Sequence, residues 1–417
     1  MLKPSRLDLP DDIHFGNSGL SLRHDLLAVG AEKESSKHAG IYHGHDFPIS
    51  QSHLLSALPD NGGVWLFRRS PWGTWKQEAF LKARATSEGD WFGFAVEVVD
   101  PDTVIVGAPL KEYPAEVIDL GPAFNETVLP NMNSNYGAAY IFSRNQSLEW
   151  SQEAIVGPPI AVTAGRFGSS VSSTELDPTT TIVAVGMPGE DSMLQGSFSV
   201  ARYLQDYAPP LSPSSGAVVI FRRDREEDSP KWRMEAVLKP FWGEAGDQFG
   251  YEYERQSVWY STSADRPIND VLVKEPNNLE TDCGAAYVFQ RTIINETSGE
   301  VEWQQGSFFK PRRCAKQFGS FVALNGDTAV VSKHGSSFAS PPKKQIFVRE
   351  PSSQEWSAKQ HMIPTLTNVA EGEVPVVHFA KQVAVQGDVM LCGSPAERSS
   401  RACILMAFLL LRVHLQE

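Results

Sequence analysis

The run His43-Gly44-His45-Asp46 could set two imidazoles on one strand face with a carboxylate beside them, a donor set suited to zinc or copper. His38 lies in the same stretch, and stretches rich in Ser, His and Lys are more often simply solvated. For acid–base chemistry the charged residues on the repeated apolar segments are Glu97, Arg23 and Lys381, and the sequence gives them no converging set. No G-x-S-x-G elbow, P-loop, H-E-x-x-H or Rossmann fingerprint occurs, so none of those established nucleophile, phosphate or metal chemistries is encoded. Tyr42, Phe47, Tyr113, Phe124, Phe198, Tyr203 and Tyr207 lie in long polar connections and are candidate ligand-binding residues. The competing reading is that they pack their own loops onto the scaffold. No catalytic residue and no cofactor follows from the sequence.

These residues are carried by a text that repeats. Phe-Gly-like starts fall at Phe15-Gly16, Phe92-Gly93, Phe167-Gly168, Phe249-Gly250, Phe318-Gly319 and Phe379-Ala380. After each start come runs such as Val104-Ile105-Val106-Gly107-Ala108-Pro109, then Gly137-Ala138-Ala139-Tyr140-Ile141-Phe142, then a segment opening on Trp75, Trp150, Trp232, Trp303 or Trp356. The runs are short, rich in Val, Ile, Phe and Tyr, and bounded by turn residues, so they read as strands. Runs apolar at both parities, such as Val218-Val219-Ile220-Phe221, need burial on both faces. The Trp segments alternate more cleanly, as expected of an outer strand.

Four-stranded units that bury one another give an all-β fold, a β-propeller of six blades, or seven if one is missing. The segment Leu7–Asp12 is placed to supply the last unit's fourth strand and close the ring between the N- and C-terminal segments. One domain, 1–417, then uses nearly the whole chain, with blades starting near 15, 92, 167, 249, 318 and 379.

The order Phe-Gly, Val-x-Val-Gly-Ala-Pro, Gly-Ala-x-Tyr-x-Phe resembles FG-GAP repeats, the blades of the integrin α-subunit propeller, over about residues 15 to 408. The added Trp-x-x-Glu-Ala-x-Leu-Lys strand is closer to FG-GAP variants of microbial and protist surface proteins. Lys274-Glu275-Pro276 and Ser332-Lys333-His334 depart from the pattern in units four and five. The resemblance implies adhesion or ligand binding through one propeller face. The integrin calcium loop does not carry over, because Asp100-Pro101-Asp102-Thr103 and its counterparts are too short and too poor in carboxylates.

The connections Glu32–Gly62, Leu110–Tyr136 and Gly189–Ser215 are much longer than a blade needs, whereas the fourth shrinks to Asn277–Cys283. Three adjacent insertions on one rim form a raised surface where binding function usually sits. The sequence-based expectation is therefore a non-enzymatic module that recognises a protein or glycan. The alternative is a propeller hydrolase or lyase with an axial active site, which a converging group of charged residues on the innermost strands would favour.

Bulk properties set the remaining bounds. The 417 residues are 41% hydrophobic and carry a net charge of −13, which argues against nucleic acid and anionic membranes as partners. Cys283, Cys314, Cys392 and Cys403 show no C-x-x-C spacing and could form up to two disulfides. Sequons at Asn125, Asn145 and Asn295 favour an extracellular or cell-surface location, although the N-terminus has no apolar signal region. The apolar run Ala402–Leu411 is about half a membrane span and reads as the final strand, so no stable membrane insertion is expected.

Overall fold

The computed structural model describes residues 13–16, 19–44, 58–112, 118–120, 134–177, 179–208, 212–226, 229–251, 258–263, 266–275, 284–295, 300–310, 318–325, 327–333, 343–350, 353, 355–362, 382–386, 389–393 and 409–412. They form six successive antiparallel sheets, one for each repeat. The first holds β1 (Leu20–Arg23), β2 (Leu26–Ala31), β3 (Ile41–His43), β4 (Gly63–Arg69) and β5 (Trp75–Leu81) in the order β1-β2-β4-β5-β3. The second repeats that order with β6 (Ala95–Asp100), β7 (Thr103–Ala108), β8 (Ile118–Leu120), β9 (Ala138–Arg144) and β10 (Trp150–Val156). So does the third, with β11 (Val171–Asp177), β12 (Thr180–Met187), β13 (Gly196–Ser199), β14 (Ala217–Glu226) and β15 (Ser229–Lys239). A short helix, α1 (Val200–Asp206), follows β13 and is capped by the Ser199 side chain.

The fourth sheet has four strands: β16 (Val258–Ser263), β17 (Arg266–Glu275), β18 (Ala285–Asn295) and β19 (Glu300–Phe309). The fifth has β20 (Phe318–Asn325), β21 (Thr328–Lys333), β22 (Lys343–Arg349) and β23 (Trp356–Met362). The sixth has β24 (Gln382–Gln386), β25 (Val389–Gly393) and β26 (Leu409–Arg412). The first strands touch in succession, β1 to β6 to β11 to β16 to β20 to β24, so they line the axis of a β-propeller. The proposed closing segment Leu7–Asp12 lies outside the described residues.

The repeated words of the sequence turn out to be inter-blade joints. Gly62, Gly137 and Gly216, at the head of each third strand, form parallel bridges with Phe92, Phe167 and Phe249, the Phe of the next Phe-Gly. Gly137 has φ +86°, and a Cβ there would lie 2.1 Å from the Phe167 carbonyl oxygen. Only glycine permits that approach. Gly137→Ala is expected to cost at least about 2 kcal/mol from backbone strain alone, read as a shift in the denaturant midpoint.

The outer strands are joined by a second device. Trp150 Nε1 donates to Glu78 at 2.7 Å, Trp232 Nε1 to Glu153 at 2.7 Å, and Trp303 Nε1 to Glu235 at 2.9 Å. Each glutamate belongs to the preceding blade's Trp-x-x-Glu, and Arg68, Arg223 and Arg291 add salt bridges to the three carboxylates in turn. Burial would raise the Glu78 pKa, but the Arg68 and Trp150 hydrogen bonds and the Arg68 and Arg144 charges hold it below the ordinary range. The series stops at the fourth blade, where Gly306 stands in the glutamate's place. Glu153→Ala removes the acceptor of Trp232 and one of the partners of Arg223, and is expected to destabilise by about 3 kcal/mol, measured by chemical unfolding.

The final strand begins inside the expected apolar run Ala402–Leu411 and ends one residue beyond it. β26 (Leu409–Arg412) pairs with β25, whereas Ala402–Phe408 lie outside the described residues. A continuous apolar run has no alternation to fix which of its residues enter a ladder.

Candidate functional site

The innermost strands bring together groups that lie far apart in the chain. Glu97 sits mid-strand on β6, flanked by β1 on one side and β11 on the other. Ser21 Oγ, on β1, donates to Glu97 Oε2 at 3.2 Å, and Ser173 Oγ, on β11, donates to Oε1 at 3.0 Å. Ser21 is held in place because its Oγ also accepts the Val98 N–H at 3.0 Å. Arg23, two residues along β1, donates to the Val99 carbonyl and sets a positive charge near the carboxyl. The two serines are buried, and Glu97 as a residue is half-buried.

Burial is the largest influence on Glu97 and pushes its pKa up to about 7, overcoming the Arg23 charge and the Ser173 and Ser21 hydrogen bonds, which lower it. A carboxyl that titrates near neutrality can both take and return a proton, which is what general acid–base catalysis requires. The serines fix its rotamer from two blades at once. Lys381, the third axial charge read from the sequence, lies outside the described residues.

The long insertions contribute to the sheets. Each sends a short strand to the outer edge of its own blade. β3 pairs with β5, β8 with β10 and β13 with β15, all antiparallel. Tyr42 faces Phe80 across the first of these pairs and hydrogen-bonds His38 at 3.3 Å. Tyr203 is fully buried and donates to Glu190 at 2.8 Å, while Tyr207 donates to Asp191 at 2.6 Å. Burial and the neighbouring carboxylates raise both phenol pKa values. Phe198 packs against Tyr203 at 6.4 Å between ring centres. Tyr203 is buried in a small core with Ala217 and Val237, and the partly exposed Tyr207 and Phe198 pack against it. Phe47, Tyr113 and Phe124 lie outside the described residues.

Of the candidate metal ligands, His43 is exposed on β3, and His45 and Asp46 lie outside the described residues. Among the described residues no group of three or more His, Cys, Asp or Glu side chains is placed to hold a metal ion. Asn145 and Asn295 are exposed, and Asn125 is not described. Cys392 lies in β25, and Cys283, Cys314 and Cys403 are not described. No described helix is long and apolar enough to cross a membrane.

Sequence reasoning missed Ser21 and Ser173 because neutral hydroxyls on strands carry no signal of their own. The available signal was positional: both serines and Glu97 follow a Phe-Gly by five or six residues.

No protein-family model matches the chain, and no curated protein matches it. Solved structures do. A candidate 6-phosphogluconolactonase from Bacteroides uniformis is 9% identical, aligns over 93% of this chain and 79% of its own, and gives a TM-score of 0.48. A second candidate 6-phosphogluconolactonase, from Bacteroides fragilis, is 10% identical over 83% and 84%, with a TM-score of 0.34. The hemagglutinin-neuraminidase ectodomain of parainfluenza virus 5 is 10% identical over 99% and 84%, with a TM-score of 0.37. The expectation of a non-enzymatic adhesion module is corrected here. The converging axial set that the expectation took to be missing is present: Arg23 and Glu97 come together there with Ser21 and Ser173.

Proposed function

We propose that this chain is a propeller hydrolase whose axial site uses Glu97 as general acid–base. The observation that carries the reading is the Glu97 carboxyl, clamped by Ser21 and Ser173 from the neighbouring blades and tuned toward neutral pH. The chemistry that suits it is hydrolysis of an ester or lactone. Ionised Glu97 takes a proton from water as the water oxygen bonds to the acyl carbon. The carboxyl then returns that proton to the alkoxide oxygen as the acyl–oxygen bond breaks, so no redox partner is needed. Arg23 supplies a positive charge for the developing oxyanion, and the net charge of −13 disfavours polyanionic substrates.

The blades fit the FG-GAP pattern, whose Phe-Gly and Gly positions coincide with the inter-blade bridges at Gly62, Gly137 and Gly216. Exposed sequons at Asn145 and Asn295 support an extracellular or cell-surface setting.

The test is a screen of neutral and singly charged esters and lactones, with acid release followed by pH-stat, for the wild-type chain and Glu97→Gln. The expected result is turnover that falls at least about 100-fold in the variant at unchanged fold. Turnover undiminished in Glu97→Gln would remove the proposal, as would a folded wild-type protein inert on the whole panel.

A further inference from the structure

Blades one to three cover the outer edge of their Trp strand with an added strand, and among the described residues blade four has none. The residue five positions after the tryptophan is Phe80, Ile155, Val237 and Phe308 in the four blades. In the first three it faces Tyr42, Asp119 and Phe198 of the added strand and is at most 1% exposed. Phe308 is 45% exposed, and among the described residues β18 is the one strand that pairs with β19, while Ser197 of β13 donates its hydroxyl to the Trp303 carbonyl. Beside it stand Phe241 and Trp242, 47% and 60% exposed, with the Trp242 ring 5.2 Å from that of Phe308. A strand edge at Ser307–Phe309 that no described strand covers, next to exposed aromatics, is a template for strand addition.

Blade four cannot cover itself as its predecessors do. The connection from β17 must cross three strand spacings, run along β19 and return across two, a path of about ten extended residues or more. Pro276–Gly284 is shorter than that.

We infer that the β19 edge at Ser307–Phe309 accepts an extended peptide segment of a partner protein, antiparallel, with an apolar side chain set against Phe308. The occupant's chemistry is read from the chain's own covers. Two of the three place an aromatic ring, Tyr42 or Phe198, at this position. Exposed Glu300 and Glu302 on the same strand favour basic residues following that ring in the incoming segment. The same acids and the net charge of −13 disfavour a second copy of the chain. This inference does not rest on the hydrolase reading.

The probe is a fluorescent peptide copying Leu194–Arg202, which carries Phe198 and ends on Arg202. Anisotropy should show saturable binding to the whole chain, with slowed amide exchange at Ser307–Phe309. Phe308→Asp, or Phe308→Thr if the first variant fails to fold, should weaken binding at least tenfold, and so should Phe198→Asp in the peptide. The inference is overturned by no saturable binding at millimolar peptide, by affinity indifferent to Phe308, or by light scattering that shows the edge already taken up in a dimer.

Discussion

Replacing Lys82 by alanine is expected to lower the stability of the fold by about 3–5 kcal/mol. Its ammonium is fully buried and spends its donors on Glu34 at 2.5 Å, the Ser36 carbonyl at 2.7 Å and Asn61 Oδ1 at 2.7 Å. Removing the cation leaves the Glu34 carboxylate, itself 1% exposed, with no charge to balance it. Uncompensated burial costs more than the pair contributes, so Lys82→Met combined with Glu34→Leu should recover part of the loss. Guanidinium unfolding of the two single variants and the double variant gives the coupling. The third blade repeats the arrangement with Lys239 and Glu190, and burial drives the Lys239 pKa down against the Glu190 charge. The second blade has Gly157 at that place and instead buries Lys111 against Asp90 at 2.9 Å, in the segment leading out of the first blade. In blades one and three, then, the insertion is fastened to its blade by a buried ion pair, and shortening Gly189–Ser215 would strip β15 of both its cover and the partner of Lys239.

The second large effect is a pH dependence centred on Glu97. The folded chain holds the Glu97 proton to about pH 7, while the unfolded chain releases it near the ordinary value of 4.5. Between those values the folded state binds more protons. The stabilisation is therefore complete below about pH 4.5 and is lost as pH rises through 7, by roughly 3 kcal/mol in total. Glu97→Gln cannot titrate, so subtracting its stability profile from that of the wild type between pH 4.5 and 8 should leave a falling limb of that size. A flat difference would mean that Glu97 ionises like an exposed carboxyl.

Much of this architecture was legible in the sequence, for physical reasons that differ from element to element. Runs such as Val104-Ile105-Val106 and Val218-Val219-Ile220-Phe221 announced strands buried on both faces, and the sheets are built from them. Gly137 and Phe167 were legible as recurring words, but their contact was not, because a bridge between adjacent repeats leaves no periodic trace. The added strands β3, β8 and β13 were hidden for another reason. Three or four residues cannot display alternation, and their pairing is set by the outer edge that they cover. Tyr203 and Tyr207 read as surface aromatics because a polar loop surrounds them in sequence, whereas in space Glu190 and Asp191 take their hydroxyls. Glu97 stood out as a charge on an inner strand. Its orientation depends on serines one blade away on either side, a distance at which sequence patterns carry no information about contact.

Glu97 as a proton carrier at the axis is the centre of the proposed hydrolase. The most direct measurement is the pH–rate profile of ester or lactone hydrolysis by the wild-type chain, set beside the same profile for Glu97→Gln. The expected result is a wild-type rate governed by one ionisation near pH 7 and a variant whose residual rate lacks that limb. A wild-type profile with no inflection near 7, or one reproduced by Glu97→Gln, would contradict it.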